Sequence, residues 1–233
     1  MGGPGAREED GQAAAGQELG GSLLATGETV RARFEQRHQA REIGLTTSRE
    51  AIRSAANAIR AIHRGELDRA DELLADAQER LQTAVEACEP HPSVLHAGFV
   101  TDAAKEVAEA AITRAAVAGE PLPGPDELAV DDVAWIHGLA ETVGELRRAS
   151  LDAVRTGHLD VAERHLALMQ EALSVLTTID VPDGLTKGLR RATDSARAIT
   201  ERTRGDLTTA AGQHELRAAL EAHRAALEEA ADD

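Results

Sequence analysis

Aromatic and sulfur-containing residues are scarce in this chain. Its 233 residues include two Phe, one Trp, no Tyr and a single cysteine, Cys88. Stacking of bases on aromatic side chains is therefore excluded as the main mode of nucleic-acid recognition. A lone cysteine excludes an intramolecular disulfide and favours a reducing compartment. The sequence also lacks an apolar run of about 20 residues and the features of a secretion signal, so we expect a cytoplasmic protein that does not contact membranes.

Lysine is rare as well. Lys105 and Lys187 are the only lysines among 25 basic residues, and 41 acidic residues give a net charge of −16. We expect this composition to be an adaptation to a very salty cytoplasm, with poor folding at low salt. At ordinary ionic strength the charge opposes nucleic-acid binding, because affinity comes largely from cations that displace counterions. At molar salt the repulsion is screened within about 3 Å, so local arginine clusters determine whether nucleic acid binds.

The abundant residues are Ala, Leu, Glu and Arg, which favour helix, and no run alternates β-branched residues with polar ones. The sequence therefore predicts an all-α, single-domain bundle of about six to seven antiparallel helices. We expect a flexible N-terminal tail over 1–27, a helical domain over 28–206, and a C-terminal amphipathic helix and tail over 207–233.

Apolar periodicity and Gly or Pro breaks predict the helix boundaries. The first helical region covers about 29–64, with a break or cap expected near 44–48. Gly205 is expected to close the sixth helix. The later helices are expected over 67–88, 93–118, 131–156, 159–178, 185–204 and 213–230.

Two pairs of glutamates stand out within these predicted helices: Glu106 with Glu109, and Glu141 with Glu145. Each pair is three or four residues apart, so both carboxylates project from one helix face. Two packed helices would then bring four carboxylates together. Such a cluster repels itself unless a divalent cation neutralises it, and oxygen ligands suit Mg²⁺ or Mn²⁺. The pattern indicates metal-assisted phosphodiester hydrolysis, and the alternative is that these acids face water.

Two interior glycines, Gly138 and Gly144, lie close to the second pair. Each costs about 1 kcal/mol relative to alanine in a helix. We therefore expect another backbone or a ligand to come close to this face. His137 precedes Glu141 by four residues and is a further candidate metal ligand, although a surface histidine without a ligand is the commoner situation.

Arginines recur on one face of the first helix. Arg49, Arg53, Arg60 and Arg64 form a positive stripe, which His63 joins. Guanidinium groups bind phosphate through two parallel hydrogen bonds and suit nucleic-acid backbones. The alternative is salt bridging to neighbouring acids one helical turn away. This stripe has few acidic residues at that spacing, so we assign it as the candidate nucleic-acid-binding surface.

The chain resembles the translin family, which comprises translin and translin-associated factor X, over about residues 45–206. The first similar segment, 58–64, reads AIRAIHR, and the second, 105–110, reads KEVAEA. The third, 138–147, reads GLAETVGELR and is followed by TGHLD at 156–160. The second segment is similar to that of the factor X branch, and the retained acids place the chain closer to that branch.

The resemblance implies an all-helical fold that assembles into hollow oligomers and binds single-stranded RNA or DNA inside the shell. In the factor X branch, carboxylates that match Glu106, Glu109 and Glu141 bind Mg²⁺ and cut RNA, and Glu145 matches a nearby acid. The branch commonly has Asp at the position of Glu141, and we expect the longer glutamate side chain to shift the metal. We expect a homo-oligomer, with a second translin-family subunit as a further possibility. The alternatives are a nucleic-acid-binding module without catalysis and a helical scaffold or regulator.

Overall fold

The computed structural model describes the backbone of residues 5–232 and the side chains of residues 20–228. This part of the chain forms helices joined by short connections and contains no strand. Three of the helices, α3, α5 and α8, are single turns, and the other six are long. The six long helices confirm the predicted all-α bundle. In chain order the helices are α1 (Gly5–His63), α2 (Leu67–Cys88), α3 (Pro92–Leu95), α4 (Phe99–Ala118), α5 (Pro125–Leu128), α6 (Asp132–Arg155), α7 (Leu159–Thr178), α8 (Asp183–Thr186) and α9 (Leu189–Asp232).

The long helices do not simply alternate in direction. Short connections make α1 with α2, and α6 with α7, antiparallel hairpins. In contrast, α4 runs in the same direction as α1. Gly44 of α1 lies against Phe99 at the start of α4, and Ile62 near the end of α1 packs with Val117 near the end of α4.

The direction of α4 is shared by α6 and α9. Along the contact of α4 and α6 the residue numbers rise together, from Gly138 beside Lys105 to Thr142 beside Glu109. The segment just before α9 contacts the start of α6, and Thr203 of α9 contacts the later part of α6. The bundle therefore has α1, α4, α6 and α9 in one direction and α2 and α7 in the other.

Because α4 and α6 are parallel, the chain must run back from the end of α4 to the start of α6. Residues 119–131 form this connection. Gly119 ends α4 in the left-handed conformation, with φ of 73°. The Trp135 indole N–H donates to the carbonyl of Pro123 at 3.0 Å, which fastens the returning segment to α6. Asp131 caps α6, because its carboxylate accepts from the Ala134 amide at 2.8 Å.

The central helix of the bundle is α4. Twelve of its 20 residues are buried, and most of these are alanines. Small side chains let neighbouring helices approach closely, since the distance between helix axes depends on the side chains at the contact. Among the buried residues of α4, only Glu109 is ionisable. A carboxylate in this position calls for a physical reason, because buried charges are normally paired or bound to a metal.

The predicted break at 44–48 is wrong, because α1 is continuous there. Gly44 is needed for close packing and not for a turn. A Cβ at Gly44 would collide with the Cys88 sulfur and lie 2.9 Å from the Phe99 ring. The Thr47 hydroxyl donates to a backbone carbonyl one turn earlier at 2.9 Å and caps nothing.

Two other predicted boundaries also differ from the structure. The helix predicted over 93–118 is divided, and α4 begins at Phe99 because Gly98 has a φ of 104°. Gly205 does not end the sixth helix, since α9 continues through it to Asp232. A single glycine in a helix costs about 1 kcal/mol, which does not by itself break the helix.

Both ends of the described chain are long helical extensions. Residues 20–39 of α1 are exposed, and Ala40 is the first buried residue among those whose side chains the structure describes. On α9, Leu216, Leu220 and Leu227 are 61%, 60% and 59% exposed. Helix extends over most of 1–27, so the flexibility of that range stays a prediction, as do the domain limits at 28–206 and 207–233. Among the described helices, none has both the length and the apolar character to cross a membrane.

Candidate metal centre

The site begins with the close approach of α4 and α6 at Gly138. A Cβ on Gly138 would lie 2.8 Å from the Ala108 Cβ, 2.9 Å from the Glu109 amide nitrogen and 3.0 Å from the Lys105 carbonyl oxygen. Glycine is therefore required by the α4 backbone, as the sequence predicts. Gly144 differs, because a Cβ there would meet no atom within 4 Å. The prediction of a close approach is confirmed at Gly138 and is wrong for protein contacts at Gly144.

Two buried threonines fix the register of α4 and α6 beneath this contact. The Thr142 hydroxyl lies 3.0 Å from the Gly138 carbonyl oxygen and 3.3 Å from that of Glu109. The Thr113 hydroxyl donates to the Thr142 hydroxyl oxygen at 3.4 Å. Because one threonine side chain spans both backbones, the position of Glu109 relative to α6 is fixed by hydrogen bonds as well as by packing.

Three carboxylates converge above this contact. Glu106, Glu109 and Glu141 each place one oxygen within 4.8 Å of the oxygens of the other two. Glu109 is 7% exposed, whereas the side chains of Glu106 and Glu141 are 26% and 44% exposed. The site therefore has one buried carboxylate at its base and two at its solvent-facing rim.

Burial and like charges make Glu109 unusual. Burial, followed by repulsion from Glu141, Glu106 and Glu145, raises the pKa of Glu109 to about 8, although the charge of Lys105 acts in the opposite direction. No hydrogen bond contributes to stabilising its ionised form. The carboxyl group is therefore protonated at neutral pH unless a cation reaches it.

Lys105 supplies the positive charge at the rim. Its ammonium nitrogen lies 2.8 Å from both oxygens of Glu141 and 3.0 Å from Glu106 Oε1. Burial alone would lower the pKa of Lys105, but the hydrogen bonds to Glu141 and Glu106 raise it above the ordinary value. Two of the three carboxylates thus already share a cation in this structure, and Glu109 does not.

Glu145 has a different partner from the other acids. It is hydrogen-bonded to the Nε2 atom of His63, whose side chain is only 3% exposed. This hydrogen bond holds the pKa of Glu145 below its ordinary value, despite partial burial. The His63 side chain therefore faces α6 and does not belong to the exposed arginine stripe. The contact also holds Glu145 beside the three-carboxylate cluster.

His137 does not join the cluster. Its Nε2 atom lies 2.8 Å from the carbonyl oxygen of Thr186, so the ring connects α6 to α8. Sequence reasoning considered His137 as a ligand and did not find Lys105. A usable signal was nonetheless present, since one of only two lysines in the chain directly precedes Glu106.

The arginine stripe lies on the outer face of α1. Arg49, Arg53, Arg60 and Arg64 are all exposed. Arg64 is paired with Glu66 through two hydrogen bonds of 2.8 and 2.9 Å. Arg60 donates to Asn57. The structure thus brings the four arginines together on one surface, and their role in nucleic-acid binding stays a prediction.

The raised pKa of Glu109 predicts how the metal-free protein responds to pH. The folded state keeps a proton up to about pH 8, whereas an unfolded glutamate loses it near pH 4.3. The free energy of unfolding should therefore fall as pH rises through this window. Relative to Glu109→Gln, the parent should lose roughly 3 kcal/mol between pH 5 and pH 8. Urea denaturation in EDTA at constant molar salt measures this difference, and parallel pH curves for the two proteins would contradict it.

The fold and the site together define a class of protein: an all-helical bundle whose parallel central helices present an oxygen-only acidic cluster. Two solved structures share the fold with TM-scores of 0.75. They are AfC3PO in complex with duplex RNA, 34% identical over 80% of this chain and 96% of that chain, and AfC3PO alone, 33% identical over 80% and 97%. Apo-NeC3PO has a TM-score of 0.72, covers 78% of this chain and 96% of its own, and is 16% identical, which shows similarity of fold alone.

Sequence comparison finds a further relative. An uncharacterized protein of Methanocaldococcus jannaschii is 30% identical over 171 residues, which are 72% of this chain and 75% of that protein. No protein-family model matches the chain. The chain belongs to the translin family, together with the C3PO proteins. The resemblance inferred from the sequence is confirmed, and the assignment to the factor X branch stays a prediction.

Proposed function

We propose that this chain is a divalent-cation-dependent endoribonuclease that binds RNA or DNA within an oligomeric shell. The observation that supports catalysis most strongly is the convergence of Glu106, Glu109 and Glu141 within 4.8 Å. A solvated helix face would not require the buried member of this set, because burial of an unpaired carboxylate is unfavourable.

The chemistry of the donor set fits Mg²⁺ or Mn²⁺. All three groups are carboxylates, and hard cations with oxygen preference suit such ligands. Glu106, Glu109 and Glu141 would hold the ion. A bound ion of this kind supplies a Lewis acid that withdraws charge from the scissile phosphate and lowers the pKa of water.

The residues around this set have separate tasks. Glu109 is fixed by its buried position and by the Thr142 bridge between α4 and α6, so it sets where the site lies. Glu106 and Glu141 lie at the rim, where a phosphodiester can approach from solvent. The hydrogen bond with His63 lowers the pKa of Glu145, so a further negative charge beside the site favours cation binding.

The proposal of nucleic-acid binding rests on the relatives and on the exposed arginines. AfC3PO was solved with duplex RNA, so duplex as well as single-stranded ligands belong in the assay. Four exposed arginines on one face of α1 provide phosphate contacts in an otherwise acidic protein. With three aromatic residues in the whole chain, backbone contacts must supply most of the affinity.

The arginine surface gives a quantitative prediction. The double variant Arg49→Gln/Arg53→Gln should weaken RNA binding, and the slope of log affinity against log salt should become shallower by about 0.7 for each single-strand phosphate that the variant no longer neutralises. Fluorescence anisotropy over a salt series measures both. The control is Arg155→Gln/Arg164→Gln, which makes the same charge change at exposed arginines on α6 and α7. Equal effects of the two double variants would remove this surface from the binding site.

The direct test of function is incubation of the purified chain with labelled single-stranded and duplex RNA at high salt, with Mn²⁺ or with EDTA. The proposed activity gives cation-dependent internal cleavage, and its absence under all these conditions would end the endonuclease assignment. The alternative is a binding module without catalysis. It is favoured by the ammonium group of Lys105, which already neutralises part of the cluster.

Size-exclusion chromatography with light scattering tests the assembly part of the proposal, in which the chain forms a homo-oligomer or combines with another family subunit. A monomer at molar salt, both alone and with RNA, would contradict a shell built from this chain alone.

A further inference from the structure

The position of Lys105 is unusual for an ion pair. Its ammonium nitrogen is within 2.8 Å of both Glu141 oxygens and 3.0 Å of Glu106. These are two of the three carboxylates that form the candidate cation site. The ammonium group therefore occupies two of the carboxylates that a divalent cation would need.

The choice of lysine over arginine is informative in this chain. All but two of its 25 basic residues are arginine, and the other lysine, Lys187, lies on the connection between α8 and α9. An arginine fork forms rigid paired hydrogen bonds with a carboxylate, whereas the lysine ammonium is a compact charge on a flexible stem. With a side chain that is 23% exposed, Lys105 can reach solvent by rotation of its own stem, without movement of a helix.

We propose that Lys105 is an intramolecular competitor of the divalent cation. Its ammonium group binds Glu106 and Glu141 in the cation-free protein and must leave them when the cation binds. This inference rests on the proposed metal site. It follows from charge and geometry, since an ammonium and a divalent cation repel each other and would bind the same two carboxylates. Lys105 thereby sets the cation affinity and prevents mutual repulsion of the carboxylates in the cation-free state.

The test compares Mn²⁺ binding by the full chain and by Lys105→Met, with isothermal titration calorimetry at constant pH and molar KCl. Removal of the competitor should tighten Mn²⁺ binding by at least about tenfold, equivalent to about 1.4 kcal/mol. The same substitution should lower the melting temperature in EDTA and raise it relative to the parent in saturating Mn²⁺. Lys105→Gln, which is polar at the same position, repeats the measurement if Lys105→Met does not fold.

Two matched controls isolate the effect. Lys187→Met makes the same change in net charge at an exposed position outside the cluster and should leave Mn²⁺ affinity unchanged. Lys105→Arg keeps the positive charge and should bind Mn²⁺ no more tightly than the parent. A gain for Lys105→Arg equal to that for Lys105→Met would show that the charge of Lys105 is not the cause, and would overturn the inference.

The failure of this inference can be distinguished from the failure of the proposed function. If the parent binds Mn²⁺ through Glu109 and Lys105→Met binds it equally or more weakly, the competitor role is wrong while the metal site stands. If neither the parent nor Lys105→Met nor Lys105→Gln binds Mn²⁺ at millimolar concentration, the metal site itself is wrong. Binding that persists in Glu109→Gln at parental affinity would place the ion elsewhere. It would overturn both the proposed metal site and the competitor role of Lys105.

Discussion

Glu109→Gln should abolish cation-dependent RNA cleavage while leaving RNA binding intact. Glutamine preserves the size of the side chain but removes the only carboxylate at the base of the site. Loss of a residue that merely supports metal ligands typically costs about 10- to 100-fold, so loss of the buried ligand itself should cost more than about 100-fold. Cleavage of labelled RNA in Mn²⁺ and binding of the same RNA in EDTA measure the two properties separately.

A loss of cleavage by Glu109→Gln can be attributed to the site because this variant should remain folded. In the cation-free protein, ionisation of the buried Glu109 carboxyl is unfavourable. The Glu109→Gln variant should therefore be at least as stable as the parent near pH 8. The control is Glu163→Gln on α7, which makes the same substitution at an exposed position and should cleave like the parent. Full cleavage by Glu109→Gln would contradict the assignment of the metal site.

Gly138→Ala is expected to be the most destabilising single change at the contact of α4 and α6. Alanine would favour the helix by about 1 kcal/mol. Its methyl group, however, would lie 2.9 Å from the backbone nitrogen of Glu109 and 2.8 Å from the Ala108 Cβ, and neither atom belongs to a flexible side chain. The two helices must separate, and overpacking of this kind typically costs about 1–3 kcal/mol.

Gly144→Ala is a matched control six residues further along the same helix. A Cβ there meets no atom within 4 Å, so this variant should gain up to about 1 kcal/mol from helix propensity. Urea denaturation at molar salt compares the variants. Stability changes of the same sign in both would contradict the close contact at Gly138.

Sequence reasoning located the carboxylates because helix periodicity alone decides which residues share a face. The helices predicted over 67–88 and 159–178 coincide with α2 and α7, since apolar repeats and flanking glycines agree there. The convergence of Glu106, Glu109 and Glu141 needed one further assumption, that the two helices that carry them are neighbours. The resemblance to the translin family supported that assumption, and the close contact at Gly138 shows why it holds.

The features that were missed depend on tertiary contacts. From the sequence alone, Gly44 and Gly205 cannot be distinguished from glycines that end helices. In the structure, Gly44 allows close packing against Cys88 and Phe99, and Gly205 lies within α9. His63 was grouped with arginines near it in sequence, whereas Glu145, its partner, is 82 residues away. Periodicity describes one helix at a time, so it does not identify pairs between helices or the parallel direction of α4 and α6.

The shared direction of α1 and α9 has a consequence for symmetry. The exposed residues 20–39 of α1 and the exposed residues 213–228 of α9 leave the bundle at opposite ends, since the two helices run the same way. A contact between the α1 extension of one copy and the α9 extension of the next would be heterologous, with a different surface from each partner. Repetition of such a contact closes into a ring when the rotation per copy divides a full turn, and otherwise continues as a filament.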